Sequence, residues 1–585
     1  MKKLLIYLKD YKIESILAPL FKMLEASFEL IVPLVVTAMI DVGIADRDKG
    51  YIIKMCLIMV LLGLIGLICS VTAQYFAARA AVGFGTKLRH HLFSHIQTFS
   101  FSEMDKVGTA TLITRMTSDS NQVQSGVNMV LRLLLRSPFI VFGAMIMAFT
   151  IHVKAAIIFV ITIPLLSIVV FGIMGVTIPL YKKVQERLDK VLGITRENLT
   201  GIRVIRAFHK EQEEKVQFQK NLFSLSSMQN KVGRISAFMN PVTYVIINGG
   251  IVALLYTGAF QVDSGMLTQG ELVALVNYMS QILVELIKLA NLIVLITKAV
   301  ACGNRISSVL EMQSSMPLEN MWNSKKNTQD KQKKDTPILE FSQVGLKYQN
   351  AGGESLTDIN FTVQKGETIG IIGGTGCGKT SLVHLIPRFY DATSGEVRIY
   401  GKNVKEYPLK ELRKMIGIVM QKAVLFRGTI RENLCWGKED ATQEEIQAAL
   451  KTAQALEIVE EKDGKLEAFV DQGGKNLSGG QRQRLTIARA LLGKPEILIL
   501  DDSASALDYA TDARLRKAIE QMQEQPTVII VSQRTSSIQH ADKIIVLEDG
   551  GIAGIASHEE LLRTCEVYRE IYESQYKKQE GGAKS

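Results

Sequence analysis

The apolar and polar positions divide the chain into two halves of different character. Six stretches of the first half are mostly apolar and reach the roughly 20 residues that a helix needs to cross a bilayer; the clearest are apolar on every face. They cover 16–44, 52–80, 128–151, 154–180, 242–262 and 270–300. The second half has the pattern of an ordinary soluble α/β domain. We therefore predict a six-helix membrane domain followed by a soluble α/β domain.

The links between the six stretches alternate in length. The first, third and fifth links are short, whereas the second and fourth run for tens of residues and carry charged, helix-forming sequence such as KLRHHLFSHIQ. Basic links next to membrane spans favour the cytoplasmic side. We therefore expect the long links and both termini in the cytoplasm, with spans 2 to 5 continuing as helices beyond the bilayer.

Length and composition refine the domain boundaries. The 585 residues exceed the usual size of one domain. Residues 312–337 are polar, lysine-rich and without hydrophobic periodicity, which is the composition of a linker. We predict a transmembrane domain over 1–311, a linker over 312–337, an α/β domain over 338–577 and a polar tail over 578–585.

Charge and cysteine usage exclude some classes of partner. The net charge of +10 could suggest nucleic acid. Much of the basic charge, however, lies beside apolar segments, as at Lys182, Lys183 and Arg187, and no basic patch is interleaved with aromatic residues. We expect a lipid bilayer and no nucleic acid as partner. The six cysteines have no metal-ligand spacing and fit free thiols.

Acidic residues inside the spans have two interpretations. Glu25 and Glu29 lie in the first span, and Glu285 lies three residues before Lys288 in the sixth. Charged groups in a membrane usually face a bundle interior or a water-filled cavity. One hypothesis is therefore a cavity, lined by Glu25, Glu29 and Glu285, that attracts cationic amphipathic substrates. The other is local pairing of Lys22 with Glu25 and of Glu285 with Lys288.

The second half contains a phosphate-binding loop. In ETIGIIGGTGCGKTSLVHLI a strand ends at Gly373 and a helix begins near Lys379, so that GGTGCGKT matches GxxxxGK[ST] in its required setting. The glycines let successive N–H groups point at phosphate. We expect Lys379 to reach the terminal phosphates of ATP and Thr380 to bind Mg²⁺. The buried strand PEILILDD places Asp501 for the magnesium shell.

A more specific motif follows. Leu477-Ser478-Gly479-Gly480-Gln481 spells LSGGQ, the signature of ATP-binding cassettes, and the chain resembles this family over its whole length. Six spans ahead of the cassette resemble the exporter arrangement, which implies a RecA-like core with a helical subdomain near 425–495. The resemblance also implies coupling helices at MTSDSNQV and RENLTGIRVIRAF, and a D-loop from Ser505 to Asp508.

The resemblance implies a set of ligand contacts. Tyr348 resembles the aromatic residue that stacks on adenine, and Gln421 resembles the loop glutamine that joins magnesium to the transmembrane domain. The implied magnesium ligands are Thr380, Gln421 and Asp501. The implied nucleotide contacts are Tyr348, Gly373, Gly374, Thr375, Gly376, Cys377, Gly378, Lys379, Thr380, Ser381, Gln421, Asp501, Leu477, Ser478, Gly479, Gly480 and Gln481.

Two positions depart from the family pattern. Asp502 stands where most members have the catalytic glutamate, and Gln533 replaces the switch histidine. In this family each ATP lies between the Walker elements of one cassette and the signature of the other, so both changes fall in one composite site. The pattern resembles the degenerate subunit of heterodimeric bacterial multidrug exporters. A homodimer with two equal, slow sites is the alternative.

Together these features predict ATP-driven export across the cytoplasmic membrane of a bacterium. The expected substrates are amphipathic or drug-like molecules, with hydrolysis mainly at the composite site that the partner's Walker motifs complete. A lipid, peptide or glycolipid exporter with the same motor, and a regulatory subunit that binds ATP, are the alternatives. The sequence does not identify the substrate.

Overall fold

The computed structural model describes residues 2–316, 336–348 and 351–580. Most of the predicted linker and the end of the predicted tail lie outside the described residues. The chain forms two compact units. The first comprises Met1–Gln97 and Thr109–Met312, and the second comprises Thr98–Gly108 and Gln313–Ser585. The exact boundaries predicted from the sequence stay predictions.

The first unit is helical, and over the described residues it contains six helices long and apolar enough to cross a membrane. They span Lys3–Ile44, Lys49–Ile96, Thr109–Ile151, Val153–Thr200, Glu211–Asp263 and Gln269–Leu310. Each contains one predicted stretch, so the predicted six-helix domain is confirmed. At 42 to 53 residues all six exceed the roughly 20 that cross a bilayer, although continuation beyond the bilayer was expected only of spans 2 to 5.

These long helices are built from shorter segments. The α-helices from residue 12 to 310 are α1 (Lys12–Ala38), α2 (Lys49–Ile96), α3 (Phe101–Val107), α4 (Thr109–Thr114), α5 (Ser120–Leu133), α6 (Arg136–Ile151), α7 (Val153–Thr200), α8 (Ile202–Ala207), α9 (Glu211–Ala237), α10 (Met239–Asp263) and α11 (Gln269–Leu310). A 3₁₀ segment, Lys2–Tyr11, precedes α1, and π-helical turns lie at Met39–Ile44 and Arg115–Asp119.

Small residues let these helices pack closely, as is usual where lipid supplies no hydrophobic drive for association. A Cβ at Gly126 of α5 would lie 2.3 Å from Cβ of Ala299 in α11. A Cβ at Gly270, at the start of α11, would lie 2.6 Å from the carbonyl oxygen of Thr37. The outward faces carry exposed leucines such as Leu57 and Leu64, which suits contact with lipid.

The second unit contains two main sheets. The strands are β1 (Leu339–Leu346), β2 (Leu356–Val363), β3 (Thr368–Gly373), β4 (Ser394–Ile399), β5 (Lys402–Asn403), β6 (Ile416–Val419), β7 (Gly428–Thr429), β8 (Phe469–Val470), β9 (Ile497–Asp501), β10 (Thr527–Val531), β11 (Lys543–Glu548) and β12 (Gly551–Ala556). An antiparallel sheet has the order β2-β1-β4-β5, and a six-stranded sheet has the order β12-β11-β3-β10-β9-β6.

The central strands of the larger sheet decide where the site forms. Strands β3, β10, β9 and β6 run parallel, and β9 (ILILD) and β10 (TVIIV) are buried at every residue. Such runs are typical of parallel strands covered on both faces. Their carboxyl ends therefore meet at one edge, where ligands of open α/β sheets bind.

Helices complete the second unit. They are α12 (Lys379–Leu385), α13 (Leu409–Met415), α14 (Ile430–Cys435), α15 (Gln443–Thr452), α16 (Leu456–Glu460), α17 (Gly479–Leu492), α18 (Tyr509–Glu520), α19 (His558–Thr564) and α20 (Glu566–Glu580). Helices α14 to α17 form the helical subdomain predicted near 425–495. The predicted fold class, a helical membrane domain joined to an α/β nucleotide-binding domain, is confirmed.

The close contact of α5 with α11 generates a stability prediction. Gly126→Ala should lower the melting temperature of the detergent-purified protein, because overpacking costs about 1–3 kcal/mol and exceeds the gain in helix propensity. Gly63→Ala is the matched control, since nothing lies within 4 Å of a Cβ there. Equal melting temperatures for the two variants would contradict the close packing.

Candidate functional site

The loop between β3 and α12 has a backbone that only glycine adopts easily. Gly376 and Gly378 have φ values of +89° and +97°. A Cβ at Gly378 would also lie 2.6 Å from the carbonyl oxygen of Ser355, whereas a Cβ at Gly374 would meet nothing within 4 Å. The glycines thus give a tight turn that leads into the amino terminus of α12, where backbone N–H groups favour an anion.

Lys379, the first residue of α12, folds back over this loop. Its Nζ donates hydrogen bonds to the carbonyl oxygens of Gly373 at 2.8 Å and Gly374 at 2.7 Å, and it lies 3.7 Å from Sγ of Cys377. Both Lys379 and Cys377 are buried. The ammonium group is therefore held at the mouth of the loop by weak neutral acceptors, which a charged phosphate can replace.

Asp501 ends β9 and faces the same loop. The Thr380 hydroxyl donates to its Oδ1 at 3.2 Å, while its Oδ2 is buried and has no hydrogen-bond partner among the described residues. Burial raises the pKa of Asp501 to about 6, and the nearby Asp502 charge adds to the rise. A buried carboxylate oxygen without a donor is suited to bind a cation.

A cavity of about 250 Å³ brings the predicted residues together. Within the described chain its lining comprises Ser355, Thr375, Gly376, Gly378, Lys379, Thr380, Ser381, Gln421, Asp501, Asp502, Val531, Ser532 and Gln533. The phosphate loop, the loop glutamine, both aspartates and the switch position therefore line one cavity. The parallel order of β3, β10 and β9 is the reason, because their carboxyl ends carry these loops.

The two unusual positions have distinct settings within this cavity. Asp502 has a φ of +47°, and its Oδ2 accepts a hydrogen bond from Gln421 Nε2 at 3.2 Å. The backbone carbonyl of Gln533 accepts a hydrogen bond from Gln575 Nε2 at 2.8 Å. Gln575 Oε1 also accepts from the Thr535 N–H and hydroxyl, each at 2.9 Å.

Gln575 was not predicted from the sequence. It lies in α20, far along the chain from the switch loop, and a single glutamine in a polar helix carries no signal of its own. Only the packing of α20 against Thr535 brings its amide to the loop that holds Gln533.

Tyr348 lies beside the phosphate loop rather than in the lining of the cavity. Its hydroxyl donates to Ser381 Oγ at 2.9 Å, and its ring meets Tyr390 edge-on at a centroid distance of 5.1 Å. Both contacts fix the ring next to the start of α12. The side chain is partly buried and keeps an exposed portion.

The signature residues lie elsewhere in the unit. Ser478 caps the amino terminus of α17: its hydroxyl accepts from the Gln481 N–H at 3.2 Å, and the Ser478 N–H donates to Gln481 Oε1 at 2.9 Å. This reciprocal pair is a capping box. Residues Leu477 to Gln481 are not among those that line the phosphate cavity.

One expected coupling helix is placed differently. Residues 116–123 (MTSDSNQV) form a π-helical turn and the start of α5 in the first unit, whereas the short helix that groups with the second unit is α3. Phe101 of α3 packs on Phe389 at 4.6 Å between centroids, and Asp105 accepts from the Tyr390 hydroxyl at 2.6 Å. Residues 116–123 thus group with the first unit and α3 with the second, and the coupling role expected of 116–123 stays a prediction.

The sequence did contain a signal for α3. Ser100 and Glu103 form a capping box at its start, and Gly108, with a φ of +78°, ends it. Hydrogen bonds from Ser100 and Ser315 hold the pKa of the Glu103 carboxyl below its ordinary value, although burial opposes this shift. Residues 196–208, the second expected site, include the short helix α8.

The three acidic residues proposed to line a cavity, Glu25, Glu29 and Glu285, are each paired with a basic side chain. Lys22 donates to Glu25 at 2.6 Å and Lys288 to Glu285 at 2.8 Å, so the predicted local pairs are confirmed. Glu29 and Glu285 line one cavity of about 370 Å³, whereas Glu25 is not among its lining residues.

Arg136 joins these groups and was missed. Its NH2 donates to Glu29 and its NH1 to Glu285, each at 2.7 Å. An arginine inside the apolar run LRLLLRSPFIVF was the available signal, because a charge at that depth needs a partner from another span.

Comparison with known proteins covers both units. The family described as "ABC transporter transmembrane region" matches residues 15–286, and the family described as "ABC transporter" matches residues 356–505. The chain is 35% identical over 576 residues to the uncharacterized ABC transporter ATP-binding protein YfiB of Bacillus subtilis, which covers 98% of this chain and 99% of that protein.

Two further similarities are informative. The chain is 29% identical over 575 residues to an ATP-dependent lipid A-core flippase of Hahella chejuensis, with 96% of each chain covered. The structure of a bacterial Atm1-family ABC exporter with ATP bound shares the fold at a TM-score of 0.79 and 21% identity, covering 97% of this chain and 99% of that one.

The family matches agree with the geometry: a phosphate loop, a buried aspartate and a signature helix follow six membrane-spanning helices in one chain. A cassette of this family binds ATP, and its hydrolysis drives transport. The chain belongs to the ABC transporter family, as a multi-pass membrane half-transporter of the exporter type.

Proposed function

We propose that this chain is the subunit with the degenerate ATP site in a heterodimeric exporter, and that a second, non-identical half-transporter completes it. One observation carries the proposal. Asp502 and Gln533 line the same cavity as Lys379 and Asp501, while Ser478 does not line it. Both departures from the family pattern thus belong to the site of this chain's own phosphate loop.

The residues of the cavity suit Mg²⁺-ATP. The glycine loop and Lys379 would hold the phosphates, and Tyr348 would pack on the adenine. Thr380, Gln421 and Asp501 would hold Mg²⁺, because Asp501 Oδ2 is a buried oxygen without a donor among the described residues. The cation, when bound, neutralises charge on the phosphates.

The two substitutions explain slow turnover at this site. Aspartate is shorter than glutamate by one carbon–carbon bond, about 1.5 Å, while a general base must lie within about 2.6–3.2 Å of the proton that it takes. Gln421 also occupies Oδ2 of Asp502 at 3.2 Å. Gln533 can donate a hydrogen bond to phosphate but carries neither a proton to transfer nor a positive charge.

The intact signature serves the opposite site. In the proposed dimer, Leu477 to Gln481 would contact the ATP held by the partner's Walker motifs, where most hydrolysis takes place. A homodimer would instead contain two copies of the slow site. The complete capping box of Ser478 with Gln481 favours a signature that still works.

The proposed substrates are amphipathic or drug-like molecules exported across the cytoplasmic membrane of a bacterium. A lipid exporter is the second candidate, because two of the relatives are named ATP-dependent lipid A-core flippases. Efflux of a fluorescent dye and outward flipping of a labelled lipid, from cells that carry both subunits, would separate the two. ATPase activity with and without the partner tests a purely regulatory subunit.

The phosphate loop gives the first test of the ATP site. Gly378→Ala should abolish binding of a fluorescent ATP analogue to this chain, because its Cβ would lie 2.6 Å from the Ser355 carbonyl oxygen and its φ is +97°. Gly374→Ala is the matched control and should bind normally, since its Cβ meets nothing within 4 Å. Normal binding by both variants would argue against this loop as the phosphate site.

The two composite sites should respond unequally to mutation. In the assembled heterodimer, Ser478→Arg should lower steady-state ATPase activity by roughly a hundredfold, the scale of losing a transition-state donor, because a bulky cation would fill the γ-phosphate contact of the partner's site. Lys379→Ala should lower it by a clearly smaller factor, through weaker closure of the cassettes. Equal losses would mean equivalent sites, and the asymmetry would be disproved.

Restoring the family residues should add turnover at the degenerate site. Asp502→Glu combined with Gln533→His should raise the ATPase activity of the heterodimer in a background where Ser478→Arg has silenced the other site. The single Asp502→Glu is the control for the carboxylate alone. No gain in the double variant, with ATP binding intact, would mean that other residues limit this site.

A further inference from the structure

Four charged side chains of the spans form a row in which acidic and basic groups alternate, and the two end members are partly exposed. Glu29 contacts Arg136, Arg136 contacts Glu285, and Glu285 contacts Lys288, at 2.7, 2.7 and 2.8 Å. The side chains of the two middle members are 8% and 3% exposed, whereas those of Glu29 and Lys288 are 43% and 44% exposed. We call these four residues the ion row.

The middle of the ion row has little left to offer a ligand. Glu285 Oε1 accepts from Arg136 and Lys288, and Glu285 Oε2 accepts from the Ser137 hydroxyl at 2.8 Å. Both oxygens of the buried carboxylate are therefore occupied. The row contains two acidic and two basic groups, so its net charge is zero, and a single cation gains no attraction from the row as a whole.

The two ends, in contrast, keep free hydrogen-bonding capacity. Glu29 uses Oε2 for Arg136, and its Oε1 accepts no hydrogen bond from any described residue. Lys288 has three N–H donors and contacts only Glu285 within the described chain. A carboxylate oxygen and an ammonium group are thus available at opposite ends of one neutral row.

Both ends line the same cavity of about 370 Å³. Gln281 also lines it, and its buried Oε1 has no hydrogen-bond partner in the described part of the chain. Val32, Val36 and Val284 give the same cavity an apolar wall. The cavity therefore combines a negative group, a positive group and an unmet amide acceptor with apolar surface.

We infer that this cavity binds a zwitterionic amphipath, whose ammonium group pairs with Glu29 and whose phosphate or carboxylate pairs with Lys288. Such a ligand adds no net charge to a region of low dielectric, where an unpaired charge is costly. Its hydrocarbon part would lie on the valine wall. The inference deepens the proposed export function, on which it rests, by naming a substrate class.

Three probes with the same alkyl chain test the charge preference. The purified full-length chain would be placed in nanodiscs of phosphatidylglycerol, which supplies no zwitterionic head group. Binding of radiolabelled dodecylphosphocholine, dodecyltrimethylammonium and dodecyl phosphate would be measured without ATP. We expect dodecylphosphocholine to bind about tenfold more tightly than either the cationic or the anionic probe, because only it makes both charge-assisted contacts. Equal or tighter binding of dodecyltrimethylammonium would overturn the inference.

Variants of the exposed ends identify the contacts. Glu29→Gln and Lys288→Gln should each raise the Kd for dodecylphosphocholine about tenfold. Glu29→Gln should also weaken binding of the cationic probe, and Lys288→Gln should weaken binding of the anionic probe. Glu25→Gln is the matched control, a carboxylate in the same span outside the cavity, and should leave all three constants unchanged. An unchanged Kd in Lys288→Gln would overturn the inference, and the wild-type comparison decides alone if a variant fails to fold.

A final arm separates the two sources of this head-group chemistry. Nanodiscs that also contain phosphatidylethanolamine should weaken probe binding if a membrane lipid is the ligand, and should leave it unchanged if the ligand is a free amphipath. These measurements are made without ATP, so their outcome does not depend on whether the two ATP sites are unequal. Absence of binding by every probe would overturn the substrate class alone.

Discussion

Arg136 contacts carboxylates of two other spans. These contacts meet the requirement on which the whole structure depends, that charges removed from water be paired. A charge out of water must be matched by an opposite charge or by hydrogen bonds. The guanidinium group donates to Glu29 and Glu285 through separate N–H groups. Ser137 and Lys288 donate further hydrogen bonds to the Glu285 carboxylate. Removing Arg136 would leave Glu29 without its partner, and removing Glu285 would leave Lys288 without one, so the packing of α1, α6 and α11 depends on these contacts.

In the cassette, two buried charged groups lack strong partners of opposite charge, and these groups belong to the site that binds ATP. Lys379 is held by two carbonyl oxygens, which are weaker partners than phosphate oxygens. Asp501 keeps one buried oxygen without a donor, and burial raises its pKa to about 6.

The loop that contains Gln533 is held in place by a residue far along the chain. Gln575 contacts the loop through three hydrogen bonds, to Gln533 and Thr535, and so fixes the backbone of a position that lines the nucleotide cavity. The Asp502 carboxylate is likewise engaged by Gln421. Hydrogen bonds therefore hold both Asp502 and the backbone of Gln533, which agrees with the proposal that this site binds ATP with little turnover.

The sequence by itself determined the six spans, the α/β cassette, the phosphate loop, Asp501 and the two unusual residues, because each is encoded in local runs: apolar length, glycine spacing or a strand that ends in aspartate. The local pairs Lys22–Glu25 and Glu285–Lys288, each about one helical turn apart, were one of two interpretations that the sequence left open, and the structure confirmed them. Only the tertiary structure decided that Arg136 joins spans, that Gln575 reaches the switch loop and that α3 rather than residues 116–123 groups with the cassette. Those contacts join residues far apart in the chain. The local spacing of residues does not specify which distant charge or amide each of them will contact after folding.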